Sequence, residues 1–357
     1  RGGNLRHPVF LRLREDKGPA ECRMPDDALS RMADSDPEEP EEPGEPAAVK
    51  ARAAAVARAA VTTGPRFTNL NKVFWPDEGY TKGDLIEYYR SVSPWILPFL
   101  KDRPLVLDRY PNGITGKSFY QKNAGQSGEP AGGPLRTVRL QGDSRAIDYF
   151  LCDDEDSLLY LANLGAIPLH VWSSRVNALD RPDWCILDLD PKGAPFKDVV
   201  RIALALGELC DEIEMPSFLK TSGGSGLHIL LPLGGQCDHD QSRQIAELLA
   251  RILVDRLPEI ATTLRSIPAR KGRVYVDALQ NGRGKLLAAP YSVRPHPGAP
   301  VSTPLRWNEV SSRLEVRRYN LKSVPKRLKA MKEDPLLAVL ATSPDLMTVL
   351  GRLAERL

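Results

Sequence analysis

The segment Trp184-Cys185-Ile186-Leu187-Asp188-Leu189-Asp190, followed by Pro191-Lys192-Gly193, decides how this chain is read. Apolar residues lead into two acids, and proline and glycine then end the run, which is the pattern of a buried strand with a functional end. Side chains two apart on a strand share a face. Asp188 and Asp190 therefore converge, while Leu187 and Leu189 point the other way, into a core. Two carboxylates held this close repel each other, and a divalent cation offsets the repulsion. Glycosyltransferases, nucleases and polymerases all use an Asp-x-Asp at a strand end, and a solvated turn would also carry one.

Two further strand ends narrow the choice. Downstream stands Thr221-Ser222-Gly223-Gly224-Ser225-Gly226-Leu227-His228, a glycine-rich turn between the short apolar strands SFLKT and GLHILLPL. Such a turn can leave successive backbone N–H groups facing an anion, with serine hydroxyls as added donors and His228 within reach of the same anion. A flexible hairpin turn is the plainer alternative. Later, Val274-Tyr275-Val276-Asp277 ends in a third carboxylate, followed by Gln280 and Asn281. Taken together, a carboxylate pair, a phosphate cradle and a third carboxylate are what metal-dependent nucleotidyl transfer requires.

Around these motifs the chain divides into three parts. Residues 1–23 are basic, with one alternating run, Val9-Phe10-Leu11-Arg12-Leu13, expected as a strand. Residues 24–64 are acidic, then rich in Pro and Ala, and read as a disordered linker with little to bury. From 65 to 357 the pattern is that of a folded α/β (α+β) domain. Helices are expected over 81–100 (interrupted near Pro94), 196–213, 238–257 and much of the last 60 residues. Strands are expected at RPLVLDRY, SFYQK, LRTVRL, IPLHVWSS, RVYVDAL and LAAPYSV.

Composition sets the outer bounds. The 357 residues are 42% hydrophobic and 27% charged, ordinary for a soluble chain with a real core. No apolar run approaches the roughly 18 residues of a membrane span, and the N-terminus lacks a signal-type segment. Five scattered cysteines with no CxxC pair argue against a disulfide framework or a cysteine zinc site, and suit a reducing cytoplasm. The formal charge of +3 conceals an asymmetry: between Met24 and Ala48 nine acids face one base, Arg31, which leaves +11 on the rest. A basic body on an acidic tether suits a polyanionic partner.

WCILDLDP, TSGGSGLHI and VYVDALQNGRGK, in this order, resemble the three motifs of the archaeo-eukaryotic primase superfamily. More narrowly, the chain resembles the polymerase domain of bacterial DNA ligase D, through FTNLNKVFWPDEGYTKGDLIEYY, RPLVLDRYPNG, FYQKN, IPLHVWSSR and APYSVRPHPGAPVSTPLRW as well. The resemblance implies a primase-like catalytic core with central mixed β-sheets flanked by helices. It implies that Asp188, Asp190 and Asp277 ligate a divalent metal, Mn2+ favoured and Mg2+ possible. Ser222 and His228 would hold the triphosphate, Lys122 and Arg294 would add positive charge, and His170 would sit near the sugar. Gln280 and Arg270 would support the nucleotide or the primer end. Lys72 and Lys82 would grip a DNA 5′-phosphate, and Phe119 and Tyr120 would stack on template bases. Three departures bear on nucleotide affinity: Ser225 between two glycines where lysine is frequent, His296 two after Arg294 where a second arginine is common, and Leu286-Leu287 where polar residues are frequent.

At the other end, LRHPVFLRLREDK resembles the last strand of the OB domain of an ATP-dependent DNA ligase, with Arg14 and Lys17 facing nucleotide phosphates. No KxDG-type motif is present, so ligation by this chain is not expected. What the resemblance implies is a template-dependent nucleotidyltransferase in the bacterial cytoplasm, at the nucleoid. It would fill gaps and extend ends at DNA breaks, favouring ribonucleotides over dNTPs. Its expected partners are 5′-phosphorylated DNA with gaps or overhangs, NTP or dNTP, the ligase module and bacterial Ku. The alternatives are a primase-polymerase at replication forks, a non-catalytic end-binding module and, more distantly, an Asp-x-Asp glycosyltransferase.

Overall fold

In a computed structural model the described residues are 66–127, 135–141 and 145–356. They belong to one unit that runs from Thr62 to Leu357. The strand expected near Val9, with Arg14 and Lys17, and the linker expected over 24–64 lie outside the described residues.

The chain opens with a small hairpin, β1 (Val73–Trp75) and β2 (Tyr80–Thr81), that leads into helix α1 (Lys82–Leu100). Thr81 caps that helix in a reciprocal box: its Oγ1 accepts from Asp84 N–H at 3.2 Å, and Asp84 Oδ2 accepts from Thr81 N–H at 2.9 Å. The cap fixes Lys82 as the first helical residue. Helix α1 runs through Pro94 without the expected break. Proline cannot donate to the carbonyl one turn back, Arg90 O; Ser93 Oγ stands 3.0 Å from that carbonyl and 2.5 Å from Glu155 Oε2.

The strands β3 (Leu105–Arg109), β4 (Phe119–Gln121), β5 (Thr137–Gln141) and β6 (Ala146–Phe150) follow, then helix α2 (Glu155–Asn163) and strand β7 (Ala166–Val171). Next come β8 (Trp184–Asp190), α3 (Phe196–Glu212), β9 (Phe218–Thr221), β10 (Leu227–Pro232) and α4 (His239–Arg256). The rest comprises β11 (Ala261–Thr262), α5 (Ile267–Arg270), β12 (Val274–Asp277), β13 (Leu287–Ala288), β14 (Pro304–Leu305), α6 (Ser323–Ala330) and α7 (Leu346–Ala354).

Two six-stranded sheets result. The first has the order β11-β12-β8-β10-β9-β14, and the second β13-β7-β3-β6-β5 with β4 also on β3. The first is mixed, because β11 and β12 run parallel while its other pairs are antiparallel. Helices α3 and α4 pack on β8, and the buried Leu187 and Leu189 contribute to that core. The α/β class expected from the sequence is present, with one mixed, helix-flanked sheet; the second sheet pairs antiparallel throughout.

Several local expectations differ. LAAPYSV yields strand only at Leu287–Ala288, because Tyr291 adopts a left-handed φ of +64° that ends extended structure. The C-terminal stretch forms only α6 and α7 as α-helices, separated by turns where Asp334-Pro335 and Ser343-Pro344 interrupt any helical run. The hairpin β1–β2 and the strand β6 carry weak alternation and were not among the expected strands.

Candidate functional site

The register of the first sheet builds the site. Asp277 on β12 lies opposite Asp188 on β8, Asp188 lies opposite His228 on β10, and His228 lies opposite Lys220 on β9. Residues opposite one another across a sheet share a face and stand about 5 Å apart. Four side chains from distant parts of the sequence therefore form one lateral row: carboxylate, carboxylate, imidazole, ammonium. Asp190 flanks the row from two residues further along β8, opposite Tyr275.

Each member has a defined partner. His228 Nε2 stands 3.4 Å from Asp188 Oδ1, and its Nδ1 stands 2.9 Å from Lys220 Nζ. Asp190 Oδ2 accepts from Arg270 Nη1 at 2.9 Å. Asp277 Oδ1 accepts from Leu279 N–H at 2.8 Å and from the Tyr275 hydroxyl at 3.2 Å, while Oδ2 accepts from Gln280 Nε2 at 3.2 Å. Asn281 locks the loop after β12 to β8, accepting from Ile186 N–H at 2.7 Å and donating to Ile186 O at 2.8 Å.

Burial and crowding leave the row electrically tense. Asp188 is pushed up to about 7, first by burial and then by the neighbouring charges of Asp277 and Asp190. His228 is pushed well below the usual histidine range by burial, Lys220 and Arg294. His170 falls to about 3, by burial and by the positive charges of Arg294 and Lys220. Negative and positive groups thus face one cavity of about 380 Å³. Among the described residues no group of three or more His, Cys, Asp or Glu side chains is gathered for a metal ion; Asp190 is engaged by Arg270, and Asp277 by its own loop. The donor chemistry nevertheless fits a hard cation: three carboxylates on adjacent strands, one of them pushed up by burial and by the charges of the other two.

The glycine-rich turn closes one wall. A Cβ at Gly226 would stand 2.1 Å from Leu189 O, and Gly223 has φ +73° with Arg294 Cγ at 2.5 Å from its would-be Cβ. The sequence leads us to expect the turn's amides free for an anion, but two of them are engaged within the turn. Ser222 Oγ accepts from Gly224 N–H at 3.0 Å and from Gly226 N–H at 3.1 Å. The turn is thereby braced from within, and the Ser222 hydroxyl proton remains to be donated. Arg294 Nη1 donates to Ser222 O at 3.2 Å, and its buried Nε has no partner.

The cavity brings together Asp188, Asp190, Ser222, His228, Gln280, Arg294 and, from the second sheet, His170. The departures Ser225, Leu286-Leu287 and His296 line it too, as does Lys192, a cation the sequence reading treated only as a strand stop. Asp277 and Arg270 sit just behind this wall. Lys122 does not line the cavity; it follows β4 and is exposed. Lys220 was missed because, inside SFLKT, it reads as a strand interior. Its signal was a lysine inside a short strand that is otherwise apolar or threonine and mostly buried.

A second cluster lies on the β1–β2 hairpin and the edge of the second sheet. Lys82 N–H donates to Lys72 O at 2.8 Å, so the two lysines ten residues apart are neighbours. Lys72 Nζ donates to Asn112 Oδ1 at 2.5 Å, and Lys82 Nζ to Thr68 O at 2.8 Å. Burial lowers Lys82 from the usual lysine range, and the charges of Lys72 and Arg109 lower it further. Arg109, a residue missed by the sequence reading, stacks over Phe119 at 5.2 Å. Phe119 is 44% exposed and Tyr120 64%, so neither belongs to the core. Tyr120 lies 6.3 Å from the His170 ring, which joins this cluster to the cavity.

No helix among the described residues is long and apolar enough to cross a membrane. The sequence model of the family described as LigD, primase-polymerase domain, matches residues 81–336. The multifunctional non-homologous end joining protein LigD of Pseudomonas aeruginosa is 32% identical over 335 residues, covering 94% of this chain and 38% of its own length. The bifunctional non-homologous end joining protein LigD of Bacillus subtilis is 32% identical over 302 residues, covering 80% of this chain and 48% of its own. The chain thus spans less than half the length of these relatives. Among solved structures, the polymerase domain from Mycobacterium tuberculosis ligase D, in complex with DNA, matches with a TM-score of 0.73 at 28% identity, over 78% of this chain and 99% of that one. With its three motifs gathered on one sheet and the family matched across 81–336, this chain belongs to the LigD primase-polymerase domain family.

Proposed function

We propose that the chain is a template-dependent nucleotidyltransferase that fills gaps and extends ends at DNA double-strand breaks, preferring ribonucleotides. The observation that carries this reading is the lateral row, whose Asp188 shares one cavity with Asp190, the serine-bearing turn and Arg294. Asp188, Asp190 and Asp277 would hold divalent metal, Mn2+ favoured and Mg2+ possible. Bound there, metal supplies charge neutralisation for the attacking 3′-hydroxyl oxygen and the departing pyrophosphate.

The protein's own groups do the rest. Arg294, the Ser222 hydroxyl and His228 Nε2 face the space a triphosphate would fill, and they offer it donors already fixed by packing. His170 and Gln280 border the same space where a sugar would enter. Lys72, Lys82 and Arg109 form a compact cationic cluster suited to a 5′-phosphate, and the exposed Phe119 and Tyr120 offer faces for unpaired bases. Lys122 and Arg270 act from outside the cavity wall, Arg270 through Asp190.

The relatives are non-homologous end joining proteins, and the solved neighbour is in complex with DNA. By that likeness the partners are DNA with 5′-phosphorylated gaps or overhangs, a ligase module and bacterial Ku, in the bacterial cytoplasm at the nucleoid. Primer extension on a gapped duplex, with NTPs and dNTPs compared in parallel in Mn2+, tests the reading. Template-directed addition, faster with NTPs, is the expected result. Binding without extension would indicate an end-binding module, and synthesis without a primer a primase.

A further inference from the structure

Lys220 is the one member of the row with no part in holding metal or nucleotide. It is fully buried, with 0% exposure, and burial and then the charge of Arg294 push it well below the usual lysine range, with Asp188 pulling the other way. Its Nζ has two neighbours: His228 Nδ1 at 2.9 Å and Ser302 Oγ at 2.5 Å. Ser302 Oγ also donates its only proton to Thr221 O, at 3.0 Å. The serine oxygen must therefore accept from Lys220, because a hydroxyl has one proton to give.

The same geometry orients the histidine. Charged or neutral, the Lys220 amine has a further proton to donate, and His228 Nδ1 stands 2.9 Å away to accept it, while the ring's other nitrogen faces a carboxyl oxygen, Asp188 Oδ1, at 3.4 Å. The ring proton then resides on Nε2, the nitrogen that faces Asp188 at 3.4 Å and lines the cavity. The opposite tautomer would need the Lys220 nitrogen to accept the Nδ1 proton, and would set the Nε2 lone pair against Asp188 Oδ1 and any phosphate oxygen. Ser302 is held in place by its bond to Thr221 O and by a paired backbone: its N–H donates to Ser292 O at 3.0 Å, and Thr221 Oγ1 accepts from the adjacent Thr303 N–H at 2.8 Å.

We propose that Lys220 is a positioning residue that holds His228 in its Nε2–H tautomer, so that the imidazole meets the cavity as a neutral hydrogen-bond donor. That the group it meets is the triphosphate of an incoming nucleotide rests on the function proposed above. The tautomer itself does not.

Two readouts keep these parts separate. Long-range proton–nitrogen NMR on protein labelled with 15N-histidine reports which ring nitrogen of each of the five histidines carries the proton. The His228 signals are assigned by their loss in His228→Gln. In the metal-free, nucleotide-free wild type, His228 is expected as Nε2–H. Lys220→Met, similar in length but without donors, should shift it toward Nδ1–H or a mixture, and Lys220→Gln, which keeps an N–H donor, should restore Nε2–H. Inorganic tripolyphosphate serves as the binding probe. Its Kd should weaken about tenfold in Lys220→Met, the size of one hydrogen bond to a charged acceptor, and by less in Lys220→Gln. A wild-type His228 in the Nδ1–H form overturns the proposal, as does a folded Lys220→Met variant with an unchanged tautomer. Should Lys220→Met fail to fold, the wild-type tautomer and Lys220→Gln still decide. An Nε2–H wild type that binds no tripolyphosphate upholds the positioning role and contradicts the nucleotide reading instead.

Discussion

The lateral row and the lysine hairpin are both clusters of charge, yet they are built in opposite ways. In the row every polar group is held on a strand interior or end, partnered within the protein and largely shielded from water. Beside the hairpin, Lys72 is exposed although its neighbour Lys82 is buried, and on β4 Phe119 and Tyr120 present their rings to solvent. Shielding magnifies electrostatics, which suits stabilisation of charge that develops during a reaction, whereas exposure suits capture of a large polyanion whose own charge is already complete. The difference teaches a division of labour. Under the proposed function the row would supply rate and nucleotide affinity, and the hairpin DNA affinity and end preference.

The largest effect that would sharpen the contrast lies in the turn. Gly226→Ala places a Cβ 2.1 Å from Leu189 O, a backbone atom that cannot yield without moving the strand bearing Asp188 and Asp190. Nucleotide addition should fall by about a hundredfold or more, in keeping with the sensitivity of reaction rates to misplacement of about 1 Å. DNA binding should change little, and steady-state extension with parallel DNA titration checks both.

Next in size is the cost of the crowded carboxylates. Asp188 titrates near 7 in the folded chain but near an ordinary carboxylate value when unfolded. The folded state therefore holds the extra proton between about pH 4 and 7, and stability of the metal-free protein should fall as pH rises through that window. The contribution is at most about 1.4 kcal/mol per pH unit, one proton's worth. Asp188→Asn should lack this fall and be the more stable protein at pH 8. Denaturant melts in chelator across pH 4–8 measure the difference, and parallel curves for the two proteins would contradict it.

On the hairpin the expected change is smaller and of a different kind. A charge-assisted hydrogen bond contributes roughly 1.5–3 kcal/mol, so wild type should prefer a 5′-phosphorylated gap by about tenfold or more. The double variant Lys72→Ala/Lys82→Ala should bind phosphorylated and unphosphorylated gaps equally. General basic attraction would instead weaken both in proportion, with a shallower salt dependence. Smaller still, Phe119→Ala or Tyr120→Ala should cost about 1 kcal/mol in binding to single-stranded template and nothing on fully paired duplex. Fluorescence anisotropy on the two substrates separates these outcomes.

The two regions also differ in how far their sequence discloses them. Asp188, Asp190 and Asp277 close apolar strands, so period and position mark them together, and Ser222 and His228 are marked by the glycines beside them. Lys220 is hidden because its meaning comes from register: only pairing β9 to β10 sets it against His228. Arg109 is hidden for the same reason, since the fold rather than chain distance brings it to Lys82 and Phe119. The turn amides went the other way. Glycines suggested a ring of free donors, and a serine in the same motif takes two of them. Pattern tells which groups are available, and pairing tells which of them are already engaged.

The division of labour is tested most directly by measuring extension and DNA affinity together on one gapped, 5′-phosphorylated duplex in Mn2+, for wild type, Asp188→Ala and Lys72→Ala/Lys82→Ala. The expected result is a crossed pattern. Asp188→Ala should lose nucleotide addition by about a thousandfold or more while keeping wild-type Kd for DNA. The lysine double variant should lose about tenfold in Kd yet extend at a near-normal rate once DNA is saturating. Near-wild-type extension by Asp188→Ala would contradict the account, because the row would then not be where nucleotides are joined.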